Sequence, residues 1–164
     1  MKRVLALLLL TAPLVAMADS PDASFYKKAA EGGISEVDAG NLAQSKGNSQ
    51  AVKDFGAMMV KDHSAANDKL KALATTKDVT LPTTPSVAQM ASKAKLEVLT
   101  GDTFDKAYIK GQIQAHQNTV ALFRKEIASG QDADARAFAK ATLPTIRSHL
   151  KAINAMGANT GTTK

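Results

Sequence analysis

Beyond residue 21 the chain reads as four long stretches in which apolar side chains recur every three or four positions, with glycine or proline at the breaks between them. That recurrence is the period of an α-helix with one buried face, and it excludes a sheet built on strict alternation. The first helix is expected from about Asp22 to Lys46, stopping at Gly47-Asn48, and Ser49 caps a second that continues to about Thr76. Leu81-Pro82-Thr83-Thr84-Pro85 interrupts the pattern, and Ser86 caps a shorter helix ending at Thr100-Gly101. A fourth spans roughly Thr103 to Ser129 and stops at Gly130; Asp132 caps a fifth that ends at Gly157. Residues 158–164 have the composition of a disordered tail.

Composition agrees with helices. Aromatics make up 4 % of the 164 residues and Trp is absent, so the core must come from Ala, Leu, Val, Ile and a little Met. The length suits one domain with a sizeable core. The absence of Cys excludes disulfides, thiolate metal ligands and Cys nucleophiles.

The first residues read as an address. Lys2 and Arg3 precede an apolar run from Val4 to Leu10, and Ala16-Met17-Ala18 offers a small-x-small cleavage site, the pattern of a secretory signal peptide over residues 1–18. The run is short and broken by Pro13, which argues against a membrane anchor. Cleavage near Ala18 lowers the net charge from +6 to +4, because Lys2 and Arg3 leave with the leader. That charge is dispersed, so nucleic acid is not an expected partner. No other stretch is apolar enough to span a bilayer, and no alternating strands suggest a barrel. The mature chain is expected in a periplasm or outside the cell.

Topology follows from connection lengths. The first and second helices share a two-residue link, as do the fourth and fifth, so each couple should be an antiparallel hairpin. Lys77 to Asp102 is long enough to traverse a bundle about 40 Å in length with a helix inside it. The fold expected over residues 19–157 is therefore all-α: a ferritin-like four-helix bundle of two antiparallel hairpins joined by a long crossover carrying a short helix. Gly47-Asn48-Ser49-Gln50-Ala51-Val52-Lys53-Asp54-Phe55 and Gly130-Gln131-Asp132-Ala133-Asp134-Ala135-Arg136-Ala137-Phe138 echo one another. Related halves would produce this echo, and so would any two capped helices starting after a glycine.

The informative residues are polar ones on apolar faces. Glu36 lies amid Phe25, Ala29, Gly32, Ala39 and Ala43, with Gly32, Gly33 and Gly40 around it. Asp62 and His63 flank the stripe of Val52, Phe55, Met59, Ala66, Leu70 and Leu73. His116 falls among Ile109, Gln112, Val120, Phe123 and Ile127, and His149 among Phe138, Thr142, Ile146, Ile153 and Met156. All three histidines and one of the four glutamates thus project inward, one from each long helix. Counting from the hairpin turns puts Glu36, His116 and His149 at the closest depths, with His63 further off.

A buried carboxylate protonates, pairs or binds a cation. Imidazole and carboxylate ligands on facing helices suit Zn, Cu, Fe or Mn. Glu36, His63, His116 and His149 are the expected ligands of one such ion, with Asp62 and Asp105 as possible additions. Asp105 also sits at a helix start, where a carboxylate binds free N–H groups and complements the dipole. The alternative is a buried Glu–His hydrogen-bond network that fixes helix register. A di-metal ferroxidase centre is not expected, because Val60, Ile113 and Ile146 stand where Glu-x-x-His would need glutamate. Hydrolase, nucleotide-binding and zinc-protease motifs are absent, so no catalytic activity is expected. Met58 and Met59 read as core, and Pro144 should bend its helix one turn before His149.

Met59-Val60-Lys61-Asp62-His63, Leu81-Pro82, Phe104-Asp105-Lys106-Ala107-Tyr108 and His116 form a recognisable set, together with Glu36-Val37 upstream and Leu143-Pro144 with His149-Leu150 downstream. They resemble the bacterial family catalogued as domain of unknown function 4142, over roughly residues 22 to 155. The resemblance implies a ferritin-like fold and an exported location, since members are often labelled outer membrane or exported proteins. It implies Glu36, Asp62, His63, Asp105, His116 and His149 as signature polar residues, and no particular reaction. Two functions remain open: metal binding through the inward cluster, or a non-catalytic structural, stress or interaction role.

Overall fold

The structure is a computed structural model that describes residues 22–160; the expected signal peptide and the last four residues lie outside that range. Five helices follow in order: α1 (Ala23–Lys46), α2 (Gln50–Thr76), α3 (Val87–Glu97), α4 (Gly101–Ser129) and α5 (Ala133–Thr160). The four long ones form a bundle in which α1 packs on α2 and α4, and α5 packs on α4 and α2. Both hairpins are present, and the crossover bearing α3 lies against α1 and α4.

Most boundaries follow local chemistry. Ser49 accepts from Val52 N–H at the start of α2, and Ser86 with Gln89 completes a reciprocal capping box on α3. Asp132 accepts from Asp134 N–H ahead of α5. Three ends differ from expectation. α3 stops at Glu97, ahead of Thr100-Gly101, and α4 begins at Gly101, whose φ of +58° suits glycine. α5 continues through Gly157 to Thr160, because Gly157 rests on Ile109 and Ile113 of α4 and the helix stays supported.

The hairpins lock each other by an exchanged device. Asp22, before α1, accepts from the backbone N–H groups of Gln131 and Asp132 in the α4–α5 turn. Asp105, in the first turns of α4, accepts from those of Asn48 and Ser49 in the α1–α2 turn, each at 2.8 Å. Each aspartate stands 25 residues before the glycine of its own turn, Gly47 or Gly130, and both glycines hold similar extended conformations. The echo between the halves is therefore structural. These contacts also put the two turns at opposite ends, so α1 and α5 run one way and α2 and α4 the other.

The apolar core comes in two blocks. Phe25, Tyr26, Leu70, Phe123, Leu143 and Ile146 fill one end, and Val52, Phe55, Met59, Phe104, Tyr108 and Ile153 the other. Gly40 and Gly56 let α1 and α2 touch backbone to backbone: a Cβ on either would lie 2.7 Å from the other's carbonyl oxygen. On every long helix the inward polar residue falls between members of the two blocks, as Met59, His63 and Leu70 show on α2. A thin polar layer thus crosses the middle of an apolar bundle.

Candidate metal centre

His63 on α2, His116 on α4 and His149 on α5 meet in that layer, with ring centroids 5.5–5.8 Å apart. One ring nitrogen from each lies within 4.8 Å of the others. The rings are 8 %, 1 % and 2 % exposed, so water does not solvate them freely. Phe55 presents its edge to His116 and His149 and closes one side.

On two of the rings a hydrogen bond decides which nitrogen keeps its lone pair. His116 Nδ1–H donates to the carbonyl of Gln112 one turn earlier, at 2.9 Å, which leaves Nε2 with the lone pair. His149 Nε2–H donates to the Asp62 carboxylate at 3.0 Å, which leaves Nδ1 with it. His116 Nε2, His149 Nδ1 and His63 Nε2 are all buried without a hydrogen-bond partner. Burial, reinforced by the imidazoles of His116 and His149, pulls the His63 pKa down to about 3. Burial also lowers His149, against the opposing pull of Asp62. Burial thus favours the neutral form of His63 and His149, the form that donates to a metal.

Glu36 stands one step outside the trio. It accepts from Gln112 Nε2 at 2.7 Å and reaches His116 only at Nδ1, 3.9 Å away, where the proton is already donated to Gln112. Burial raises its pKa, opposed by His116 and by the Gln112 bond. The depth expectation is corrected here: the closest set is the three histidines, with Glu36 outside it. Lys77 and Asp22 both meet Asp132 at one end of the bundle, which fixes a common origin. From it Glu36 and His63 each lie 14 residues along, His116 lies 16 and His149 lies 17. That spread is about 4.5 Å of helix rise. Side chains lean toward the N-terminus of their helix, so His63 and His116 tilt toward His149 as it tilts toward them, and Glu36 tilts away from that convergence.

The remaining candidates separate cleanly. Asp62 is half-buried and orients His149 from outside the trio. Asp105 is not in the layer, because both its carboxylate oxygens hold the α1–α2 turn. Gln112 and Tyr108 were not singled out by sequence reasoning as site residues, although 105, 108, 112 and 116 form one stripe at helical spacing. Gln112 joins Glu36 to His116, and burial beside Glu36 keeps the Tyr108 phenol protonated.

Bonds of about 2.0–2.1 Å to one tetrahedral ion place imidazole nitrogens about 3.4 Å apart, so small side-chain shifts would bring this trio to that spacing. Backing by a carboxylate on one ring and a carbonyl on another is the outer arrangement that ligating histidines use.

Two solved structures share the fold: a DUF305 fragment from Deinococcus radiodurans and a DUF305 protein from Streptomyces coelicolor described as secreted. Each is 14 % identical with a TM-score of 0.73; the matches cover 85 % and 87 % of this chain, and 96 % and 94 % of theirs. No match is found among curated proteins. No helix among the described residues is long and apolar enough to cross a membrane. Residues 10–156 match the domain of unknown function DUF4142, and the chain belongs to that family.

Proposed function

We propose that this protein is an exported metal-binding bundle in which His63, His116 and His149 hold one transition-metal ion. The observation that carries the reading is the set of three buried, partnerless imidazole nitrogens from three different helices. A purely structural network would pair those atoms, since each buried unmet group costs about 1–3 kcal/mol. Neutral nitrogen donors without thiolate favour Zn(II) or Cu(II) over Mn(II) or Fe(II). Glu36 and Asp62 act from outside the three-nitrogen set, on His116 and His149 respectively. The chain's apolar, positively led N-terminus and the description of its S. coelicolor structural neighbour as secreted support a periplasmic or extracellular location.

The test is thermal and chemical unfolding of untagged, chelator-stripped protein with Zn, Cu, Mn or Fe. Stabilisation of at least about 2.7 kcal/mol is expected at a hundredfold excess over the dissociation constant. The gain should vanish in His116→Ala. Absence of any shift with all four metals would remove the proposal.

A further inference from the structure

Two voids that share lining residues lie between His63 and the surface. An outer cleft of about 820 Å³ lies between α1, α3 and α4, with Glu36, Tyr108 and Gln112 among its lining residues. An inner void of about 40 Å³ touches His63. Both are bounded by Lys28, Gly32 and Glu36 of α1 and by Thr119 and Leu122 of α4, so these residues form the neck between them, with the exposed Lys28 at its outer side. A water needs about 10–15 Å³ of such space, so the inner void admits a water-sized guest.

The neck is open because of a residue that helix packing does not require. A Cβ at Gly32 would meet nothing within 4 Å, and the same holds for Gly111 in the wall of the cleft. Glycine inside a helix costs about 1 kcal/mol relative to alanine, and here the missing side chains leave space over the polar groups. Those groups are oxygen donors. Tyr108 Oη and Gln112 Oε1 are buried without partners, beside the Glu36 carboxyl group. Oxygen donors hold a hydrated divalent cation loosely, and imidazoles hold a transition ion more tightly, so affinity rises inward. Lys28, Lys93 and Lys125 line the cleft; Lys93 is paired with Asp38 and Glu97, and the exposed Lys28 and Lys125 leave Glu36 as the one carboxylate at the neck.

Resting on the metal reading above, we propose that divalent transition-metal ions reach the histidines through this path, and that Glu36 is the relay ligand that takes the ion from the outer cleft at the neck. The route also serves release, so obstructing it alters rates more than affinity.

The experiment follows Zn²⁺ uptake by untagged protein in stopped-flow with a chromophoric chelator, and release into excess EDTA. Gly32→Phe and Thr119→Phe obstruct the neck from opposite walls; each is expected to slow uptake and release about tenfold or more, with affinity within about threefold of wild type. Glu36→Gln, which keeps a partner for Gln112, is expected to slow uptake about tenfold. Thr75→Phe, in a separate groove beside α2, should leave both rates unchanged. Helical circular dichroism confirms folding. If one neck variant fails to fold, the other decides, and Glu36→Gln decides if both fail. Wild-type uptake in the folded variants overturns the path while leaving the centre standing; equal slowing by Thr75→Phe also overturns it. Failure of the wild type to bind Zn²⁺ removes the centre and the path together.

Discussion

At His149 a single hydrogen bond sets which nitrogen faces inward, and Asp62 supplies it. Asp62→Ala is expected to weaken Zn²⁺ binding by about 10- to 100-fold, measured by chelator competition, because the ring loses the partner that fixes its tautomer. Asp62→Asn, which still accepts the bond, should fall between. His63 gives a pH signature. Its pKa drops from the usual 6.5 to about 3 on folding, so the unfolded chain binds the extra proton between those values. Stability from this source is complete above pH 6.5 and is lost as pH falls toward 3. Glu36 has the opposite sign: its raised pKa favours the fold below about 4.5 and less above. The stability difference between metal-free wild type and His63→Gln isolates the first effect, and it should shift in favour of wild type as pH rises from 4 to 7. A flat difference would refute the assignment. At this scale the sequence was informative about which residues turn inward, since each interrupts an apolar stripe. It was silent on Gln112, whose amide looked like an ordinary polar member of its face until Glu36 was seen opposite.

The helices themselves were legible because their ends carry their own chemistry: Ser49 and Ser86 as caps, and Gly47 and Gly130 as stops. What sequence could not supply was the exchange of aspartates between hairpins, which depends on where the crossover sets α4 down. That exchange predicts the behaviour of Asp105→Ala. Two backbone N–H groups lose charged acceptors, a loss of about 1–3 kcal/mol in urea unfolding, with little change in Zn²⁺ affinity, because the histidines lie 11 or more residues away along α4 and on other helices. The contact between α1 and α2 is less forgiving. Gly40→Ala would drive a methyl group toward the carbonyl of Gly56, and backbone cannot rotate aside. Destabilisation of about 1–3 kcal/mol is expected, whereas Gly111→Ala, in open space, should stabilise by up to about 1 kcal/mol. Glu126 on α4 is a second buried carboxyl group, outside the polar layer. Burial, reinforced by the nearby Asp22 and Asp132 carboxylates, pushes its pKa up to about 7.

Across the whole molecule, the histidines join both hairpins, since α2 belongs to one and α4 and α5 to the other. An ion held by all three would add a cross-link between halves already joined by the aspartate exchange, the Asp62–His149 and Glu36–Gln112 hydrogen bonds and the packing of long helices. Hydrogen exchange should therefore slow on Zn²⁺ addition in the central turns of α2, α4 and α5, and less in α1. Equal slowing everywhere would point to global stabilisation alone. Depth along the bundle is not legible in connection lengths, because the turns are not level ends of equal rods; Lys77, Asp22 and Asp132 define the common origin.

The shared plan of the halves reaches further than their turns. Counted from Gly47 and Gly130, His116 corresponds to Gly33, His149 to Ala66, His63 to Ile146 and Glu36 to Thr119. All four counterparts line the inner void. The architecture thus holds a furnished socket and, beside it, a blank twin whose walls are already in place. Furnishing it would take imidazoles at 66 and 146 and a third at 33, where any side chain must first displace the Asn67 amide.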